Sequence, residues 1–165
     1  MVNMVGVILL RKIILILMII SLITVAGSCD NFIDPDIEGK KQSEDLLKYL
    51  SDKDEDGLKS MFCEKTASSS SFDKQIKVAI DVVNGKVTSS NILINSSERS
   101  VKDGKTTSLD ISAHISEIET DVGKVYDIRF YSYLVNSEYE DKEGISMLTI
   151  KSDDGKECIV GKLVD

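Results

Sequence analysis

The hydrophobic period of the sequence changes once, near Lys86, and this change limits the folds that the chain can adopt. Before Lys86, apolar residues recur at the three- and four-residue spacing of amphipathic helices. We predict three short helices there: one that Ser43 caps, one that opens at Asp54, and one over residues 72–83. The third has the clearest apolar face: Phe72, Ile76, Ala79, Ile80 and Val83.

After Lys86, apolar and polar residues alternate, as they do in strands that bury one face. Residues 109–116 alternate most regularly, and Asp103-Gly104 before them has the chemistry of a two-residue hairpin turn. Further strands are predicted at residues 87–94, 125–135, 145–151 and 158–164. Helices first and antiparallel strands afterwards indicate an α+β fold, with three N-terminal helices packed on a strongly curved antiparallel sheet of about five to six strands.

The N-terminus has the pattern of an export signal, because Arg11 and Lys12 stand before a largely apolar run at residues 13–25. As a helix, this run would be about 20 Å long at about 1.5 Å per residue. That length is short of the roughly 30 Å hydrocarbon core of a bilayer. The run therefore suits translocation better than permanent spanning.

Small residues follow the apolar run and end at a cysteine. Residues 25–29, VAGSC, resemble the lipobox of bacterial lipoproteins, in which the chain is cut before the cysteine. The cysteine thiol takes a diacylglyceryl group, and the amine that the cut frees can take a fatty acid such as palmitate. The resemblance implies that residues 1–28 are a signal peptide and that Cys29 anchors the mature chain on the extracytoplasmic face of the cell membrane. An uncleaved N-terminal anchor and an ordinary signal peptide are the alternatives.

The charge of the chain excludes nucleic acid as a partner. The full sequence has 20 Lys and Arg against 28 Asp and Glu, and loss of residues 1–28 removes Arg11 and Lys12 but no acid, which leaves a formal charge of −10. Such a chain repels nucleic acid and anionic lipid alike. Residues 29–41 are predicted to be the lipidated cysteine and a flexible tether that contains Pro35, and residues 42–165 to be one domain.

Five segments of the chain resemble a family of Gram-positive bacterial lipoproteins of unknown function. They are LLKYLSDKDEDGLKSMF (46–62), FDKQIKVAIDVVNGKV (72–87), TDVGKVYDIRFYSYLV (120–135), Gly144-Ile145 and ECIVGKL (157–163). The resemblance covers about residues 40–164. It implies a cystatin-like, nuclear-transport-factor-two-like cone, in which three helices pack inside a strongly bent antiparallel sheet. It implies an envelope location, but it brings no known activity and no catalytic residue.

No catalytic set is recognisable in the sequence. Enzymes with a cone of this kind typically place an aspartate and a histidine in the pocket, and this chain has one histidine, His114. It shares the polar side of its strand with Asp110, about 13 Å away, too far for a hydrogen bond. We expect an exposed imidazole and no cofactor. We also expect no metal site, since Cys63 and Cys158 lack zinc-ligand spacing. Those two cysteines are expected as buried free thiols, with a disulfide between them as the alternative.

The strand over residues 125–135 offers the other candidate site. Asp127, Arg129, Tyr131 and Tyr133 share one phase, and Tyr126, Ile128, Phe130 and Leu134 share the other. If the polar phase faced the helices, it would line a ligand pocket. We favour the reverse, because more apolar volume is then buried, and the polar phase becomes a solvated or partner-binding face. Tyrosine and arginine are common anchors of protein interfaces.

The sequence therefore favours a non-enzymatic, lipid-anchored envelope protein that binds a small ligand or a protein partner. A cone-pocket enzyme of hydrolase or isomerase type is the first alternative. A structural accessory subunit of an envelope complex is the second.

Overall fold

The first helix begins earlier than the sequence predicts. The computed structural model describes residues 33–163, apart from the side chains of residues 96–98. Helix α1 spans Pro35–Asp52. The carboxylate of Asp34 caps it by accepting the backbone N–H of Asp36 at 3.0 Å, and proline is favoured at the first helical position. The predicted signal peptide, Cys29 and the first residues of the predicted tether lie outside the described residues.

The prediction of a flexible tether is wrong for residues 35–41, which belong to α1. One compact unit begins at Asp34, and not at residue 42. The packed stripe of α1 starts with two small residues, Gly39 and Ser43, which are both buried. The Ser43 hydroxyl donates to the carbonyl of Gly39 at 2.8 Å, so Ser43 lies inside the helix and does not cap it. Small residues carry no apolar signal, and the periodicity therefore missed this part of the helix.

Three further helices follow in the described chain, so that there are four helices and not three. Helices α2 (Glu55–Ser60), α3 (Glu64–Ala67) and α4 (Phe72–Val82) are all short. Asp54 caps α2, since its carboxylate accepts the N–H of Gly57 at 2.8 Å. Helices α2 and α4 agree with the predicted segments, whereas α3, with four residues, is too short to show a period. None of the helices between residues 33 and 163 is long and apolar enough to cross a membrane.

Five antiparallel strands form one sheet in the order β1-β2-β3-β4-β5. They are β1 (Val87–Lys102), β2 (Lys105–Thr120), β3 (Val125–Asn136), β4 (Gly144–Ser152) and β5 (Glu157–Gly161), with a 3₁₀ turn at Glu140–Lys142 before β4. The turn between β1 and β2 is Asp103-Gly104, and both residues have positive φ, 53° and 78°, as a type I′ hairpin requires. The predicted α+β fold and the predicted hairpin are confirmed.

The helices and one face of the sheet enclose the core, and we call that face the inner face. Ile115, Ile128, Ile150 and Cys158 lie opposite one another on four consecutive strands, and all four are buried. The helices add these buried side chains: Leu46, Leu50, Leu58, Phe72, Ile76 and Ala79. Burial of one such large apolar side chain contributes about 1.5–3 kcal/mol. Packed side chains thus fill the centre of the space between the helices and the sheet.

Candidate functional site

The polar residues of β3 lie on the side of the sheet that faces away from the helices, which we call the outer face. Tyr126, Ile128 and Phe130 are buried in the core. Arg129, in the opposite phase, has a side chain that is 67% exposed. The orientation that the sequence favours therefore agrees with the structure. The four candidate residues of β3 share the outer face: Asp127, Arg129, Tyr131 and Tyr133.

Register places the lone histidine beside this polar set. His114 of β2 lies directly opposite Arg129 of β3, and Arg129 lies opposite Thr149 of β4. The same row reaches Leu93 of β1 and Ile159 of β5 at its two ends. The outer face therefore carries a polar centre with an exposed apolar side chain at each edge of the sheet.

His114 is paired with a carboxylate, which the sequence did not predict. Its Nε2 lies 2.5 Å from Oδ2 of Asp127, the diagonal neighbour on β3. The Arg129 Nε lies 3.4 Å from the other oxygen of Asp127. The side chains of His114 and Asp127 are 33% and 36% exposed. The expectation of an exposed imidazole without a carboxylate partner is wrong, because the side chain is two-thirds buried and its partner lies on the neighbouring strand, whereas Asp110 lies on the same strand.

Asp110 takes part in a second contact on the same face. It is buried, although its strand position is in the polar phase, and the Tyr131 hydroxyl donates to its carboxylate at 2.7 Å. Burial, followed by the hydrogen bond to Asp110, raises the pKa of Tyr131 above its ordinary value. The phenol thus stays protonated and keeps donating. The ring of Tyr131 meets that of Tyr133 edge to face, with 5.5 Å between ring centroids.

These six residues form what we call the outer-face cluster: Asp110, His114, Asp127, Arg129, Tyr131 and Tyr133. Two carboxylates hold an imidazole, a guanidinium and a phenol in place, and a second tyrosine ring packs beside the first. The cluster can donate hydrogen bonds to an acidic group and can pack aromatic surface against a partner. Sequence reasoning identified four of its members but missed the two from β2, since only the register of β2 against β3 brings them together.

A shallow groove lies beside Tyr133. Its volume is about 290 Å³, and Tyr133, Asn136, Tyr139 and Lys142 are among the lining residues. The Lys142 ammonium lies over the Tyr139 ring at 4.3 Å from its centroid. A larger cleft of about 340 Å³ lies elsewhere, between the end of α4 and the β4–β5 turn, where Lys124 and Lys156 line it. The outer-face cluster therefore adjoins the smaller groove.

The described residues do not assemble a metal site. Between residues 33 and 163, no group of three or more histidine, cysteine, aspartate or glutamate side chains is suited to hold a metal ion. Cys63 and Cys158 are buried and carry free thiols. Burial raises the pKa of the Cys158 thiol. The Cys63 thiol donates to the Thr66 hydroxyl at 3.3 Å.

Comparison with known families gives one result. The model of a family described as "Domain of unknown function (DUF5104)" matches residues 45–156, more than half of the chain. The chain belongs to this family. Comparison with curated proteins finds no match.

The DUF5104 match covers the whole outer-face cluster, from Asp110 to Tyr133. It leaves out residues 35–44, the first part of α1, and it ends before β5. The match confirms the predicted resemblance to a family of unknown function. Because the function of this family is unknown, we infer the function of the chain from the geometry of its outer face.

Proposed function

We propose that this protein is an extracytoplasmic lipoprotein, anchored to the membrane through Cys29, whose domain binds a protein partner through the outer-face cluster. The observation that carries the proposal is the ordered set of Arg129, Tyr131 and Tyr133 on the open face of the sheet. Residues of these types dominate the binding energy of many protein interfaces. The proposed function involves neither nucleic acid nor a cofactor.

The contacts within the cluster favour binding, because they fix side chains that would otherwise lose entropy when a partner binds. Asp127 lies between the imidazole of His114 and the guanidinium of Arg129. Asp110 holds the hydroxyl of Tyr131 at 2.7 Å. Ordering of a free side chain at an interface costs about 0.5–1.5 kcal/mol, and residues that are already ordered avoid part of that cost.

A protein partner fits this surface better than a small ligand does. Small ligands usually bind in concave, largely apolar cavities. The outer-face cluster lies on a strand surface, and the groove beside it, with a volume of about 290 Å³, has Asn136, Glu138 and Lys142 in its lining. A partner that presents an acidic side chain to Arg129 and an apolar or aromatic side chain to Tyr133 would complement the face.

The His114–Asp127 pair is the observation that favours an enzyme instead. A histidine oriented by a carboxylate is the usual arrangement of a general base. The pair lies on the outer face, however, with about a third of each side chain exposed. The cone-pocket hypothesis requires a site between the sheet and the helices, and the lining of the cleft of about 340 Å³ at the end of α4 includes neither His114 nor Asp127. We therefore keep binding as the proposed function.

The proposed anchor would hold the domain close to the bilayer. Asp34, which caps α1, is five residues after Cys29. Five fully extended residues span at most about 18 Å. A lipid on Cys29 would thus keep the start of α1 within about 18 Å of the lipidated residue's backbone, a shorter tether than the sequence predicts. Two or more acyl chains are needed for stable anchoring, and a diacylglyceryl cysteine supplies them.

The test is crosslinked capture from intact cells that produce the full chain. Arg129→Ala and Tyr133→Ala remove exposed parts of the outer-face cluster, and Lys74→Ala, on the exposed side of α4, is the matched control. We expect each cluster variant to reduce a specific crosslinked complex about tenfold, as loss of an interface anchor worth about 1.4 kcal/mol would. Equal capture by all three variants would refute the proposed surface.

A further inference from the structure

Strand β1 is an edge of the sheet, and its segment from Asn91 to Ser96 has no charged residue, no proline and no bulge. It has 16 residues, and within residues 33–163 its strand partner is β2 alone. Natural edge strands are commonly short, or they carry charged residues, proline or β-bulges that block a second strand. Residues 87–97, VTSSNILINSS, contain no charged residue and no proline. Between Asn91 and Ser96 the edge therefore presents backbone N–H and C=O groups along an uncharged segment.

The sequence of this edge is a palindrome. Residues 89–97, SSNILINSS, read the same in both directions, with Leu93 at the centre. When two copies of one strand pair antiparallel about a two-fold axis at Leu93, Leu93 meets Leu93, and each residue on one side meets the same residue type from the other side. Asn91 then faces Asn95 of the second copy, and Ile92 faces Ile94. Such a contact is isologous, the usual form of a homodimer interface.

The strand geometry suits this pairing. From Asn91 to Ser96, β1 pairs with β2 residue by residue, without a bulge. Leu93 lies on the outer face and is 56% exposed, whereas Ile92 and Ile94 are partly buried against the core. Pairing of two such edges would cover Leu93 with its own counterpart and would extend the isoleucine layer of the inner face. Aliphatic pairs across neighbouring strands stabilise a sheet.

Helix α1 packs on the inner face of β1 near Ile94, and its last turn contacts the strand backbone at Val87, whose N–H donates to the Ser51 hydroxyl at 3.1 Å. Gly39 is buried against Ile94, and a Cβ atom at that position would come within 2.8 Å of the Ile94 Cγ2. The absence of that Cβ lets α1 lie close to the sheet. The edge itself, in the plane of the strands, is where a further strand would add its hydrogen bonds.

We propose that two copies of this chain pair through their β1 edges, antiparallel and centred on Leu93, so that their sheets become continuous. The occupant of the edge is a second copy of the same chain, because the palindrome makes this edge complementary to itself. The inference is independent of the partner-binding surface, which lies on the face of the sheet and not at its edge.

Cysteine crosslinking of the full chain in mild detergent tests the proposal. Directly opposite residues of antiparallel strands have Cα atoms about 4.5–5.5 Å apart, within the reach of a disulfide. Leu93→Cys should therefore form a covalent homodimer on mild oxidation. Ile159→Cys is the matched control, since Ile159 is 49% exposed and lies in the same outer-face row at the opposite edge. The unsubstituted chain is oxidised in parallel, and it shows how much covalent dimer forms through the native cysteines, such as Cys29.

A second set of variants tests the register. Asn91→Cys alone should crosslink poorly, because the two copies of Asn91 would lie four residues apart along the strands, about 13 Å. A mixture of Asn91→Cys with Asn95→Cys should crosslink efficiently. Homodimers of Leu93→Cys together with that pattern would support the proposal. A monomer for Leu93→Cys, equal dimerisation of Ile159→Cys, or an adduct of Leu93→Cys with a different protein would overturn it.

A charge substitution gives a non-covalent readout. Leu93→Lys places two ammonium groups opposite each other at the centre of the proposed contact. Because Leu93 is more than half exposed, the monomer should keep its circular dichroism spectrum and its unfolding midpoint. Native mass spectrometry should show a dimer for the unsubstituted chain and at least a tenfold loss of that dimer for the variant. A monomeric unsubstituted chain, or an undiminished dimer in the variant, would overturn the proposal.

Discussion

The imidazole of His114 contacts the carboxylate of Asp127 across two neighbouring strands, with 2.5 Å between Nε2 and Oδ2. Both side chains lie on the outer face and are about one-third exposed. At that exposure a contact of this kind contributes at most about 1 kcal/mol to stability. The pair therefore orients Asp127, and through it Arg129, more than it stabilises the fold.

His114→Ala should change the free energy of unfolding by less than about 1 kcal/mol, because the pair is partly solvated. Chemical denaturation followed by circular dichroism measures this change. Asp153→Asn, which weakens the exposed contact of Asp153 with Lys124, is the matched control. A loss of several kcal/mol in His114→Ala alone would show that the pair is structural.

Tyr131→Phe should destabilise the domain by about 1–3 kcal/mol. The variant removes the hydroxyl that donates to buried Asp110 at 2.7 Å, and a buried acceptor that loses a donor costs free energy. Tyr139→Phe, which removes a hydroxyl from a tyrosine that is 49% exposed and lies outside the cluster, is the control for the loss of one hydroxyl. Urea unfolding of both variants gives the comparison, and equal stabilities would contradict this role for Tyr131.

The same tyrosine predicts a loss of stability at alkaline pH. Burial and Asp110 raise the pKa of Tyr131, so the folded phenol keeps its proton above about pH 10, where an unfolded tyrosine loses it. The unfolded state then binds fewer protons, and stability falls as pH rises through that range. Tyr131→Phe should show a shallower fall than the unsubstituted chain between about pH 9 and 11. Parallel curves would mean that Tyr131 ionises equally in both states.

Gly39→Val should destabilise the domain by about 1–3 kcal/mol through overpacking. A Cβ at residue 39 would lie 2.8 Å from the Ile94 Cγ2 and 3.0 Å from the Ile111 Cδ1. Lys41→Val, on the exposed side of the same helix, should cost no more than the lower helix propensity of valine, about 0.5 kcal/mol. Thermal unfolding of the two variants distinguishes a packed helix from a spacer. Equal, small effects would contradict the packing of α1 on the sheet.

Much of the fold could be predicted from the sequence because its signals are local. Phe72, Ile76 and Ile80 show the helical period of α4, and Asp103-Gly104 specifies the first hairpin. The start of α1 could not be predicted in this way, because Gly39 and Ser43 pack through small size and not through hydrophobicity.

The site could be predicted only in part, for a different reason. The alternation in β3 is enough to place Arg129 and Tyr131 on one face. The partners of these residues depend on the register between β2 and β3, which shifts between Ile115 and Ile118, where Glu117 has a positive φ of 53°. No local pattern in the sequence specifies that bulge, so the contact of His114 with Asp127 was not predictable.

Cys29→Ala should abolish incorporation of a labelled fatty acid and should leave an uncleaved precursor. Lipidation and cleavage of a lipobox both require the cysteine thiol, which is the basis of this expectation. Metabolic labelling followed by gel analysis measures it, and Cys158→Ala, which removes a buried thiol, is the control. Unchanged labelling of Cys29→Ala would contradict the proposed anchor.

The most direct test of the proposed function is site-specific photocrosslinking in intact cells that produce the full chain. A photoreactive phenylalanine analogue at residue 133, which keeps an aromatic ring in the place of Tyr133, would report on the outer face, and the same amino acid at residue 74 would report on the exposed side of α4. We predict one discrete protein adduct at residue 133 that is absent at residue 74 and that Arg129→Ala reduces about tenfold. The same adducts at both residues, or an adduct at residue 133 that Arg129→Ala leaves unchanged, would contradict binding through this face.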